Sequence, residues 1–177
     1  NSVMETVTLV RHSFELDKVR IVADLDERMP VLYGDPDKLR QVWMNLLTNA
    51  RDAMPGGGMV FVRTRLDTGA QKVTVWVADT GSGIEPADLG RIFDPFFSTK
   101  PVGKGTGLGL AVSFGIVKEH GGDISAQSPV PTDFGLPRGE AAGEHGAGSV
   151  FAVHLPLDHG ERDDEDTPAP GDGAKEE

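Results

Sequence analysis

Three sequence-distant groups of residues carry types and spacings that can do chemistry. The first is Asn45, Asn49 and Asp52, which stand at i, i+4 and i+7 and so share one face if the segment is helical. Asparagine is a mediocre helix former, and carboxamide oxygens can ligate a hard cation such as magnesium. A solvated polar face accounts for the same line when it is read alone. The second group is Asp79-Thr80-Gly81-Ser82-Gly83-Ile84. A carboxylate at a strand end, followed by two glycines, offers an acceptor for an amine and lets a ligand approach the backbone; a plain glycine turn is the simpler account. The third is Gly103-Lys104-Gly105-Thr106-Gly107-Leu108-Gly109-Leu110. Alternating glycines ahead of a helix can aim successive amides at phosphates, the helix dipole favours negative charge there, and Lys100 and Lys104 add positive charge. A flexible linker would share the composition but not the helix that follows. The pattern is neither a Walker A loop nor the Gly-x-Gly-x-x-Gly of dinucleotide binding. Between the second and third groups, Phe93-Asp94-Pro95-Phe96-Phe97-Ser98-Thr99-Lys100 places three of the eight phenylalanines in a polar loop. Such anchors suit a lid that docks and undocks, or simple attachment of a loop to the core.

These groups need elements to position them. Val3, Val7, Val10 and Phe14 predict an amphipathic helix over 3–17, and alternation predicts a strand over 18–26. Asp35 and Pro36 open a helix that runs to about Met54, with Leu39, Val42, Leu46, Ala50 and Ala53 as its apolar stripe. Two valine-rich strands, 59–66 and 72–79, read as a hairpin. Residues 86–92 suggest one or two helical turns, 93–105 a loop, and 106–120 a helix closed by Gly121-Gly122. Strands follow at 123–128 and 149–156, separated by a glycine- and proline-rich connection over 129–148 that reads as long and mobile. The order predicts an α+β two-layer sandwich, a mixed sheet of about five strands against three helices.

Composition sets the limits. A chain of 177 residues suits one domain, and the absence of cysteine excludes disulfides, thiolate zinc sites and thiol nucleophiles. No apolar run is long enough to span a membrane, and no signal peptide opens the chain, so a cytosolic domain is expected. The net charge of −11 is concentrated in 158–177, where nine acids face only Arg162 and Lys175; that segment reads as a disordered acidic tail. No basic stripe is present, so nucleic acid is not an expected partner.

Taken together and in this order, the groups resemble the GHKL, or Bergerat, ATP-binding fold in its histidine-kinase branch, over residues 17–157. Asn45 to Asp52 resembles the N box, Asp79-x-Gly81-x-Gly83 the first glycine box, Phe93 to Phe97 the F box, and Gly103 to Leu110 the second glycine box. A weaker box is Gly146-Ala147-Gly148-Ser149-Val150-Phe151, with Ser149 where threonine is frequent. The phrase ending in Ser98-Thr99-Lys100 looks most like the nitrogen-regulator type of sensor kinase.

The resemblance implies ATP and Mg2+ as ligands. Asn49 would ligate the metal. Asn45, Lys100 and Lys104 would contact the phosphates or the ion's water shell and serve catalysis. Asp79 would accept from the adenine amino group, with Gly81, Gly83 and Ile84 closing around the base. Gly103, Gly105, Thr106, Gly107, Leu108 and Gly109 would form the phosphate loop, Phe93 and Phe97 would flank the nucleotide, and Asp52 would lie behind the ion or toward the ribose. ATP-hydrolysing relatives carry a glutamate general base where this chain has Asn45, which cannot take a proton, so slow hydrolysis and transfer to a histidine are implied. That histidine, on a separate helical hairpin, and a response-regulator receiver domain are the implied partners. None of His12, His120, His145, His154 and His159 has the acceptor's context. Residues 1–16 are then expected to be a linking helix from that hairpin and the isolated segment a monomer. A GHKL ATPase, a catalytically silent nucleotide-binding domain and a serine-kinase anti-sigma factor are the alternatives.

Overall fold

The computed structural model describes residues 2–100, 105–135 and 148–157. In chain order its elements are α1 (Ser2–Leu16), β1 (Val19–Asp24), α2 (Pro36–Asp52), β2 (Gly58–Asp67), β3 (Lys72–Asp79), α3 (Gly109–Glu119), β4 (Asp123–Gln127), a single 3-10 turn (Thr132–Phe134) and β5 (Val150–Pro156). The strands form one sheet in the order β1-β2-β3-β5-β4. Only β1 and β2 run parallel; the other neighbours are antiparallel. Parallel neighbours need a crossover connection, and here that crossover contains α2.

Period-two alternation sorts the strands. Register aligns Val62 with Val77 and Val77 with Phe151, while Val75 meets Val153 and Val153 meets Ile124. All of these are buried, and together they form the face that receives the helices. α1 lies against β1, α2 against β2 and β3, and α3 against β4, with α2 touching both other helices. The result is the expected α+β two-layer sandwich.

α1 is packed as part of this core. Val7 and Phe14 are fully buried, and the Trp43 indole donates to Ser2 Oγ at 3.0 Å. α2 starts as its sequence dictates: Asp35 accepts from the backbone of Asp37 and Lys38, and Pro36 occupies the first turn. α3 begins at Gly109 rather than residue 106, because Gly107 has φ +65 and a left-handed residue cannot continue a right-handed helix. Residues 86–92 form successive turns rather than a helix, with Asp88 and Arg91 amides each bonded three residues back. Of the long connection, 129–135 are described. Phe134 lies against the Arg63 guanidinium at 4.8 Å and its carbonyl accepts from Arg63 Nη1, so this stretch is docked on β2. Residues 136–147 and the acidic tail lie outside the described residues.

His120 joins two helix ends. Its Nδ1 donates to the Ile116 carbonyl at 2.7 Å, so Nε2 is the acceptor, and it receives the Asp35 N–H at 3.0 Å. The ring is 6% exposed. Replacing His120 by alanine should leave a cavity and strand the Asp35 amide at the start of α2. A loss of about 2–4 kcal/mol in urea unfolding is the expected cost.

Candidate functional site

The three groups converge around α2. Val42, Leu46, Leu47 and Ala50 are buried, so Asn45, Asn49 and Asp52 run along the helix edge facing the segment before α3. Asn45 Nδ2 donates to the Gly109 carbonyl at 3.0 Å and to Ser113 Oγ at 3.1 Å. A carbonyl only accepts, so this pairing fixes the carboxamide's orientation and leaves Oδ1 as its acceptor. Asn49 Oδ1 and Asp52 Oδ2 both take Lys100 Nζ, at 3.2 and 2.7 Å. Partial burial pushes the Asp52 carboxyl up. The bond and charge of Lys100, with help from Arg51, outweigh that and hold it below the ordinary carboxylate range. An ammonium thus sits among oxygen donors on this edge of α2.

Alternation along β3 places Asp79 on the same face as Val73, Val75 and Val77, toward the helices. It is 1% exposed. Its Oδ1 accepts from the Gly81 amide at 2.8 Å and its Oδ2 from the Ser149 hydroxyl at 2.6 Å. Burial pushes the carboxyl up, against the lowering effect of these donors. Ser149 and β3 are also tied by the Asp79 amide, which donates to the Ser149 carbonyl. The following turn reaches back to the end of α2, where the Ser82 amide donates to the Ala53 carbonyl at 3.1 Å. The Asp79 group and the Asn45–Asp52 line therefore meet at one end of one helix.

The phenylalanine segment divides its labour. Phe93 is an anchor, 5.7 Å from the Phe114 ring and edge-on to Phe151 at 6.5 Å. Phe97 is partly buried beneath the Arg91 guanidinium at 4.8 Å. Phe96 is 76% exposed, and its amide donates to the Gly107 carbonyl. A Cβ on Gly107 would stand 2.5 Å from the Phe96 carbonyl carbon, so only glycine permits this approach. Gly105 lies near Ser98 and Lys100, and Gly109 beside the Asn45 carboxamide. Thr106 Oγ1 faces the Leu108 amide at 3.4 Å, and no side chain caps the start of α3 at Leu108. The expected contributions of Gly103 and Lys104 fall outside the described residues. Gly83 and Ile84 follow Asp79 in its turn, with the Ile84 amide donating to Ser128 Oγ.

Comparison with known proteins decides what this assembly is. Residues 34–159 match the family described as histidine kinase-, DNA gyrase B-, and HSP90-like ATPase. The chain belongs to this ATPase family. Among curated relatives, the two-component sensor PprA of Pseudomonas aeruginosa is 44% identical over 72% of this chain and 13% of its own length. Sporulation kinase E of Bacillus subtilis is 36% identical over 86% of this chain and 18% of its length. Sensor histidine kinase ZraS of Escherichia coli is 36% identical over 85% and 30%. The chain thus spans less than a third of each of these relatives. The catalytic domain of histidine kinase ThkA superposes with TM-score 0.70 and 27% identity, covering 88% of this chain and 92% of that one. Full-length ShkA in complex with AMPPNP superposes with TM-score 0.69 and 26% identity, over 88% and 29%. The domain is an ATP-binding one of the sensor-kinase kind within the ATPase family. Among its described residues no helix is long and apolar enough to cross a membrane.

Three contacts of this arrangement escaped the sequence reading: Ser113, which receives Asn45, Ser128, which receives Ile84, and the bond from Ser149 to Asp79. Each depends on a partner more than 40 residues away.

Proposed function

We propose that this domain binds ATP with Mg2+ and presents the γ-phosphate to a histidine imidazole on a separate helical hairpin, for relay to a response-regulator receiver domain. The observation that carries it is the Lys100 ammonium between Asn49 Oδ1 and Asp52 Oδ2, which marks a cation position beside the loop ahead of α3. An oxygen set that holds an ammonium fits a hard divalent ion. Asn49 would hold Mg2+, Asp52 would lie behind it, and the ion would neutralise phosphate charge. Lys100, displaced from Asp52, and Lys104 would contact the phosphates, with the backbone of 103–109. Asp79 would accept from the adenine amino group, with Gly81, Gly83 and Ile84 around the base, and Phe93 and Phe97 would anchor the loop flanking the nucleotide. In the transfer, an imidazole nitrogen bonds to the γ-phosphorus and the bond from that phosphorus to the bridging oxygen breaks. ADP leaves with the electron pair, and the imidazole later releases its proton to solvent. The domain supplies positioning and charge.

Asn45 favours transfer over hydrolysis. Its amide is committed to Gly109 and Ser113, and a carboxamide cannot deprotonate water. The test is calorimetry with a non-hydrolysable ATP analogue, with and without Mg2+, followed by addition of an acceptor hairpin in trans. Binding strengthened by Mg2+ and label transfer to histidine are expected. Asn49→Ala should bind equally with and without the metal. A folded chain that binds no nucleotide would sink the proposal, and rapid phosphate release without an acceptor would replace it with an ATPase.

A further inference from the structure

Ser128 follows β4 directly, outside every motif that suggested the nucleotide site. Its hydroxyl donates to the Gly148 carbonyl at 2.9 Å and accepts from the Ile84 amide at 2.9 Å. One oxygen therefore ties together three segments: the end of β4, the residue before Ser149, and the turn that leaves Asp79. Ser149 in turn holds Asp79 Oδ2. The fit is close, since a Cβ on Gly83 would stand 2.8 Å from Ser128 Oγ. The other half of the site is built elsewhere. Asn45, Asn49, Asp52 and Lys100 bond among α2, α3 and the preceding loop, with no bond to Ser128.

We infer that Ser128 is a positioning residue for base recognition. Its hydroxyl sets the Gly81–Ile84 turn and the Gly148–Ser149 step together, so that Asp79 and the neighbouring backbone face a base in one fixed arrangement. This rests on reading the Asp79 turn as the base side of the site. The physical argument is bond accounting. Removing the hydroxyl leaves the Ile84 N–H and the Gly148 carbonyl without their shared partner, and the turn regains freedom that binding must then remove. The cost falls on discrimination between bases, because a misplaced acceptor distinguishes poorly between an amino group and an oxo group at the same ring position. Among the described residues, Asn45, Asn49, Asp52 and Lys100 on the phosphate side make no bond to Ser128.

The experiment compares ADP and IDP binding by calorimetry for the parent chain, Ser128→Ala and Ser128→Thr, with thermal unfolding run in parallel. The parent should prefer ADP, whose amino group can donate to Asp79, over IDP, whose oxo group cannot. Ser128→Ala should lose about tenfold in ADP affinity and less than threefold in IDP affinity, while Ser128→Thr, which keeps the hydroxyl, should stay near the parent ratio. Should the alanine variant fail to fold, Ser128→Cys leaves no cavity, weakens both bonds and carries the same expectation. An unchanged ADP-to-IDP ratio in a folded Ser128→Ala overturns the inference, whether both affinities stay or fall together. A parent chain that binds ADP and IDP equally overturns the base-side reading itself, and the inference with it.

Discussion

Asp79→Asn should stabilise the domain at neutral pH while removing most of its affinity for ADP. The carboxyl is buried and its titration is pushed up by that burial. A group with a raised folded-state pKa binds more protons folded than unfolded between the two values. Stability therefore falls as pH rises from the ordinary carboxylate range through the folded value. Asparagine removes that loss. Its oxygen can still accept from Gly81, and its amide can donate to a reversed Ser149 hydroxyl, so both partners remain satisfied. A rise on the order of 3 °C in the unfolding midpoint at pH 7 is expected, the shift that about 1 kcal/mol produces in a domain of this size. It should shrink as the pH is lowered toward 4. Binding goes the other way. An acceptor becomes a donor where the adenine amino group would arrive, and losing a bond to a charged group costs between about tenfold and a hundredfold in affinity. Calorimetry and a thermal scan on the same sample check both halves. A variant that binds ADP as well as the parent would remove Asp79 from base recognition.

Among the described glycines, Gly148→Ala should add the most damaging single methyl group. Gly148 has φ +67, a conformation that costs an alanine about 1–2 kcal/mol. A Cβ there would lie inside the van der Waals surface of the Asp79 carbonyl oxygen, which is backbone and cannot step aside. Overpacking of this kind adds about 1–3 kcal/mol. A fall of roughly 10 °C in the unfolding midpoint is expected. Nucleotide affinity should fall as well, since any relief of the clash moves Asp79 or Ser149. Retention of the parent midpoint would show that the β3–β5 junction is softer than its geometry.

The local part of this organisation was legible in the residues. Asp35 and Pro36 announced the start of α2, the 45, 49, 52 spacing announced its polar edge, and alternation along β3 delivered Asp79 to the helix-facing side. What could not be read depends on distant register. Ser149 reaches Asp79 only because β5 pairs with β3 so that Val150 meets Ala78. Lys100 is basic in any reading, but its seat between Asn49 and Asp52 is a property of the folded loop. α1 gave its helical period, yet nothing local said that Val7 and Phe14 would be buried in the same core as the sheet. Residues 86–92 carried helical composition but end as turns, since Pro86 and Gly90 leave no uninterrupted stretch for a second helical turn.

The crossover through α2 ties assembly of the site to a non-local contact that helix formation alone cannot supply. Strands β1 and β2 pair in parallel only after the chain between them has closed, with Val19 opposite Gly58. Closing that span costs chain entropy before any contact repays it. The helix bearing Asn45, Asn49 and Asp52 is the body of the span. A nascent chain that has not docked β1 against β2 therefore has no fixed edge to offer a nucleotide, and ligand binding during refolding should report parallel pairing rather than helix formation.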